Sequence, residues 1–304
     1  MTKSNSQTGN LDFKARVVFG DNLKVLQSLP ADKFDLIYID PPFNTGKEQS
    51  RTQLRTERSE DGDRIGFQGQ RYSTEVLGRK AFADDFDDYL AFLEPRLLET
   101  YRVLAAHGTL YFHVDYREVH YCKILLDSIF GRDSFLNEII WAYDYGGRSK
   151  KRWPAKHDNI LVYVKDPNNY TFNVDEVERI PYMAPGLVGK EKAARGKFPT
   201  DTWWHTIVSP TGKEKTGYPT QKPLGIMRRI ISASSRPNDL VLDYFAGSGT
   251  AGAAALELGR RFLLVDSNPE AIEVMETRFT GQDVEFVSEA KKQEEIKESS
   301  KETD

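Results

Sequence analysis

Apolar runs and amphipathic stretches follow one another along this chain in a strand–helix rhythm. ARVVFGD reads as a strand ending at Asp21. A short helix follows over Asn22 to Leu29, with Leu23, Val25, Leu26 and Leu29 apolar, closed by Pro30. Phe34 to Ile39 is too short for a helix and rich in strand formers, and Pro41 and Pro42 stop it. Phe86 to Val103 carries Tyr89, Phe92, Leu93, Leu97, Leu98 and Tyr101 on one helical face. After it come the strand TLYFHVD, a helix over Val119 to Phe130, the apolar segment FLNEIIWAYDYGG, the strand NILVYVKD and a helix over Leu224 to Ser235. Asp239 to Phe279 then reads strand, glycine turn, helix, strand, helix. Alternation of this kind predicts an α/β fold on a mostly parallel sheet. In particular, β–α–β from Ala15 to Ile39 predicts a parallel pair with Asp21 and Asp40 at one edge, where open α/β sheets bind ligands.

The rhythm fails in three places. Residues 46–85 are charged and glycine-containing without apolar periodicity, so they read as a mobile insertion that contacts a polyanion through Arg51, Arg55, Arg58, Arg64 and Arg71. Residues 167–217 are irregular and hold a basic cluster (Lys190, Lys192, Arg195, Lys197) and the pair Trp203–Trp204, which reads first as core. From about Gln282 the chain turns to Glu and Lys, and residues 288–304 read as a solvated tail. The expectation is a single domain over 1–304 carrying these segments.

Composition narrows the class. With 304 residues, 39% hydrophobic and 12% aromatic, the chain can bury a full core as a soluble protein. Its one cysteine, Cys122, excludes an internal disulfide and a cysteine-rich zinc site, and no motif calls for a metal. The polar start MTKSNSQTGN has no secretory h-region and no run reaches a membrane span, which predicts a cytoplasmic protein. A net charge of -4 argues against a uniformly basic nucleic-acid binder and leaves a local basic face open. GGRSKKRWPAKHD supplies one: Arg148, Lys150, Lys151, Arg152 and Lys156 surround Trp153, the pairing that neutralises phosphate while stacking beside a base.

The chemistry concentrates at Asp40, Pro41, Pro42 and Phe43. A carboxylate at the end of a parallel strand, a stiff turn and an aromatic ring suit a flat molecule bearing an amine. The carboxylate and a proline carbonyl each accept an N–H while Phe43 stacks on the ring. The second centre is the turn after the strand ending at Asp243. Gly247, Gly249 and Gly252 fit G-x-G-x-x-G, and Asp266 ends the next strand where an acid that binds ribose belongs. A dinucleotide is disfavoured, because Asp243 would repel a pyrophosphate but receive an ammonium. Lys222, next to a helix start opened by Pro223, offers a partner for a carboxylate. An amino-acid head joined to adenosine is S-adenosylmethionine, with Asp21 placed to accept from its adenine amine.

These residues together resemble the β-class DNA amino methyltransferases. The resemblance rests on GDNLKVLQSLP, FDLIYIDPPFNTG, FLEPRLLETYRVL, GTLYFHVD, FLNEIIWAYDYGG, KHDNILVY, YPTQKP and DYFAGSGT with FLLVDSNP, and the amine motif precedes the cofactor turn. It implies a Rossmann-like, doubly wound methyltransferase fold with permuted motif order, using S-adenosyl-L-methionine on double-stranded DNA. Asp40, Pro41, Pro42 and Phe43 would hold a base flipped from the duplex. Asp21, Asp40, Thr220, Lys222, Asp243, Phe245, Ala246, Gly247, Ser248, Gly249, Thr250 and Asp266 would line the cofactor site. Residues 167–217 would be the target-recognition region. DPPF resembles the adenine-N6 members; cytosine-N4 methylation is the alternative within the class. A non-catalytic DNA-binding subunit, a dinucleotide oxidoreductase and an RNA substrate are the other readings. The resemblance also implies a bacterial or archaeal cell with nucleoid association, frequent homodimers and, in restriction–modification systems, a cognate endonuclease.

Overall fold

The computed structural model describes residues 11–42, 49–58, 64–65, 71–82, 88–146, 149–209 and 212–289, with 49–58, 64–65 and 71–82 as backbone only. Phe43 and Arg148 lie outside the described residues, as do the side chains of Arg51, Arg55, Arg58, Arg64 and Arg71. The chain divides into two compact units, one of Pro42–Tyr89 and one of Met1–Pro41 with Leu90–Asp304.

The larger unit is built on a nine-stranded sheet. Its strands are β1 (Ala15–Phe19), β2 (Phe34–Ile39), β6 (Leu104–Asp115), β7 (Phe135–Ala142), β8 (His157–Val164), β9 (Thr202–Trp204), β10 (Leu240–Asp243), β11 (Arg261–Asp266) and β12 (Glu285–Ser288). They lie in the order β12-β1-β11-β10-β2-β6-β8-β7-β9. From β12 to β6 every pairing is parallel, whereas β8 is antiparallel to both neighbours. The helices are α1 (Asn22–Ser28), α2 (Tyr89–Val103), α3 (Val119–Phe130), α4 (Lys190–Arg195), α5 (Leu224–Ser234), α6 (Thr250–Glu257) and α7 (Pro269–Arg278).

Strand alternation sends Leu36, Tyr38, Val241 and Leu264 to one face. There they form a core with Ile226, Met227, Ile230 and Ile231 of α5, the alanines of α6, and Met275 and Phe279. Burying each such side chain contributes roughly 1.5–3 kcal/mol. Gly252 lets α6 sit close, since a Cβ there would lie 2.7 Å from Leu264 Cδ1.

Three sequence expectations change in this unit. The β1 and β2 strands are parallel, but they are not neighbours: β11 and β10 lie between them. β1 ends at Phe19, and Asp21 caps α1 instead. Glu285–Ser288, inside the stretch from Gln282 read as solvated, forms the parallel edge strand β12 against Arg16–Phe19. Arg16 holds it there with two bonds to Glu285 at 2.9 and 2.7 Å. The tail beyond Glu289 lies outside the described residues.

The smaller unit holds a three-stranded antiparallel sheet of β3 (Gln49–Arg58), β4 (Arg64–Ile65) and β5 (Arg71–Phe82), ordered β3-β5-β4. Part of the segment read as patternless is therefore paired strand. Backbone ladders need no apolar alternation, so periodicity alone misses them.

Candidate active site

The site is built where the sheet reverses direction of growth. From β10 the chain crosses through α6 to β11 on one side, and β2 pairs with β10 on the other. Open α/β sheets bind ligands at this switch point, outside the carboxyl ends of the strands. Asp243 ends β10 and Asp40 directly follows β2, so two acids meet there. Asp266 ends β11 alongside.

Each acid has a different environment. Asp243 is buried and accepts from the Phe245 N–H at 3.0 Å. Burial raises its proton affinity well above the usual carboxylate range; the Phe245 amide opposes this, and the charges of Asp40 and Asp266 add to it. Asp266 accepts the Gly247 N–H and the Asn268 N–H, both at 2.8 Å. Burial raises it too, against those amides. One Asp40 oxygen, Oδ2, pairs with the Lys222 ammonium. The other, Oδ1, is buried and has no hydrogen-bond partner among the described residues. A buried unmatched acceptor is costly, and a donor from a ligand would relieve it.

The glycine turn is held open from two sides. Gly249 has φ +71°, and a Cβ there would stand 2.8 Å from Met275 Cγ. The Tyr218 ring lies over Gly247, with its Cε1 3.1 Å from where a Cβ would be. Tyr218 belongs to YPTQKP, which Gln221 braces by accepting from Thr216 N and Oγ1 at 2.8 and 2.9 Å and donating to Glu214 O at 2.8 Å. Ala246, Ser248 and Thr250 are buried along the turn, with Ser248 Oγ 3.0 Å from Thr250 Oγ1. The Phe245 ring packs 6.1 Å from Phe92, on which the Arg96 guanidinium rests at 3.9 Å.

Other expected site residues are exposed or bonded to neighbouring groups. Asp21 is exposed and spends Oδ1 on the Lys24 N–H at 3.1 Å. Thr220 is exposed. Lys222, expected to meet a cofactor carboxylate, is paired with Asp40. Pro41 is buried, and Pro42 belongs to the 42–89 unit. In the basic loop Lys150, Lys151 and Arg152 are exposed and Trp153 is 96% exposed. Lys156 donates to the carbonyls of Tyr145 and Gly146 at 2.5 and 2.9 Å, so its charge serves the loop. Of the tryptophan pair, Trp203 is core and Trp204 is exposed.

Sequence reasoning missed Tyr38, His113, Asp158 and Tyr218. A His and an Asp within apolar strands were the available signal, because buried polar groups need partners.

The donor set fits a cationic, amine-bearing nucleoside: a proton-hungry buried acid, an unmatched carboxylate oxygen and a turn open to close backbone approach. The comparisons agree. A family described as DNA methylase matches residues 34–277. The Type II methyltransferase M.HpaI of Haemophilus parainfluenzae is 32% identical, over 86% of this chain and 73% of that protein. The DNA adenine methyltransferase YhdJ of Escherichia coli K12 is 30% identical, over 85% and 80%. Among solved structures, the M1.HpyAVI–SAM complex aligns with TM-score 0.55 and 22% identity over 87% of this chain and 98% of that one. The cytosine-N4-specific PvuII DNA methyltransferase aligns with TM-score 0.60 and 15% identity over 88% and 87%. This chain belongs to the N6/N4 family of DNA methylases, the S-adenosyl-L-methionine-dependent DNA methyltransferases.

Proposed function

We propose that this chain methylates the N6 amine of adenine in duplex DNA, on a base flipped out of the stack. The observation that carries the reading is the buried, unmatched Oδ1 of Asp40 beside Asp243. The bound cofactor supplies an electrophilic methyl group. Asp40 and the Pro41 carbonyl accept the two amine hydrogens and draw the nitrogen lone pair out of conjugation. Lys222 holds the Asp40 carboxylate in place through their ion pair. Pro42 stiffens the turn and Phe43 stacks on the base. Asp243 receives the cofactor ammonium, Asp266 the ribose hydroxyls and Asp21 its adenine amine, while Phe245, the turn from Ala246 to Thr250, and Thr220 enclose it. Positioning and electrostatic stabilisation supply the rate.

Duplex DNA meets the basic loop of Lys150, Lys151, Arg152 and Trp153, with residues 46–85 as a further contact and 167–217 reading sequence. Adenine is favoured over cytosine by the DPPF form of the motif and by the adenine-methylating relative. The test is transfer from labelled S-adenosylmethionine to unmethylated duplex DNA by wild type and Asp40→Ala, with product nucleosides separated. Labelled N6-methyladenine lost in the variant is expected. Label on cytosine overturns the base assignment, and no label on any DNA despite cofactor binding overturns the substrate.

A further inference from the structure

Behind Asp40 stands a buried imidazole that the reading above does not use. His113, on β6, is fully buried. Its Nδ1 lies 2.7 Å from Tyr38 Oη and 3.8 Å from Asp40 Oδ1. Its Nε2 lies 3.2 Å from Asp158 Oδ2, and Asp158 Oδ1 accepts from the Tyr143 hydroxyl at 3.0 Å. The Trp141 ring meets the imidazole edge-on with centroids 5.6 Å apart.

These neighbours define the resting tautomer. Burial raises the Tyr38 phenol well above its usual range, and Asp40, Asp243 and Asp158 raise it further. It stays protonated and donates to Nδ1. Burial would raise Asp158, but the hydrogen bonds and charges of its partners outweigh it and leave its carboxyl low. An ionised Asp158 takes the Nε2 hydrogen. With Tyr38 donating, Nδ1 stands as an acceptor on the side of Asp40. Two acceptors facing each other explain why no described group donates to Oδ1 of Asp40. The groups around His113 include Tyr38 from β2 with Asp40 just after it, Asp158 from β8, Trp141 from β7 with Tyr143 just after it, and Lys222 on the far side of Asp40.

We propose that His113, fixed by Tyr38 and Asp158, is a positioning residue that accepts, through Asp40, the proton the target amine loses on methylation. The inference rests on the proposed amine methylation at Asp40. The amine nitrogen forms its bond to the methyl carbon while the carbon–sulfur bond breaks, its electron pair going to sulfur. The nitrogen then gives its proton to Asp40 Oδ1, and Asp40 passes it to Nδ1 as the Tyr38 hydroxyl turns its hydrogen away and frees that lone pair. The products are a methylated amine, a neutral thioether and an imidazolium paired with Asp158.

Two measurements test this. The first is single-turnover methyl transfer by wild type, His113→Gln and Asp158→Asn on duplex DNA, from about pH 5 to about pH 9. Wild type is expected to lose rate at low pH as His113 arrives already protonated. His113→Gln should be about 100-fold slower, lack that limb and bind cofactor as wild type does. A variant with the wild-type pH profile overturns the proposal. The second follows the His113 ring nitrogens by NMR during pH titration of wild type and Asp40→Asn, and needs neither DNA nor a stable His113 variant. A shifted titration in Asp40→Asn is expected, and an unshifted one overturns the proposal. Should wild type methylate no DNA, the proposed function fails, and the titration still decides whether Asp40 and His113 share a proton.

Discussion

Lys222 and Asp40 form an ion pair across 182 residues of chain, with side chains only 11% and 14% exposed. Removing one partner of such a pair strands the other charge away from water, which costs about 3–5 kcal/mol. Lys222→Met is therefore expected to lower the unfolding free energy by about 3 kcal/mol. Adding Asp40→Asn should return most of it, since no charge is then stranded. Denaturant unfolding of the two single variants and the double variant measures the coupling.

Asp243 makes stability and cofactor binding depend on pH. Its proton affinity in the fold is raised, so its contribution is complete below the ordinary carboxylate range and is lost as pH rises through the raised folded value. Asp243→Asn should flatten that decline. A cation seated against Asp243 would favour the ionised form, so cofactor binding should release a proton. Calorimetry in buffers of different ionisation enthalpy reads that release, which should vanish in Asp243→Asn.

Gly249 has a steric reason to stay glycine. At φ +71° with Met275 Cγ 2.8 Å and Phe279 Cε2 3.2 Å from a would-be Cβ, Gly249→Ala meets both backbone strain and overlap. A loss of about 1–3 kcal/mol is expected, read as a lowered Tm, together with weaker cofactor binding.

Exposed charge in the basic loop should act on affinity without touching chemistry. Replacing Lys150, Lys151 and Arg152 by alanine is expected to weaken binding to all duplex sequences alike. The slope of log affinity against log salt should fall by up to about 3. Cofactor affinity should hold, as should the rate at saturating DNA.

What could be read from the sequence was whatever leaves a trace in apolar spacing. Apolar runs ending in acids located Asp40, Asp243 and Asp266 at strand ends, and the period of Val119 to Phe130 matches α3 residue for residue. Pairing partners leave no such trace. β12 (EFVS) has only two apolar residues, too few to stand out, and is held as an edge strand by backbone pairing and one clamp, Arg16 on Glu285. The ladder of β3 and β5 was invisible for the same reason. His113 looked like one more core position, and only the arrival of Asp158 on antiparallel β8 gives it meaning. Lys222 was read toward a ligand, whereas its nearer demand is Asp40.

The order of strands also fixes a timetable. β1 is flanked by β11 and β12, and β2 takes β10 on one side, so both wait for partners encoded near the other end. A growing chain can pair β2, β6, β8 and β7 with one another early. Until the residues beyond Asp239 emerge, β1 is a strand without neighbours and β2 presents a bare edge, a template for wrong pairing. Such distant partnerships slow folding. Asp40 is thus translated early and surrounded late: the halves of the site meet only when the final parallel strands slot between β1 and β2.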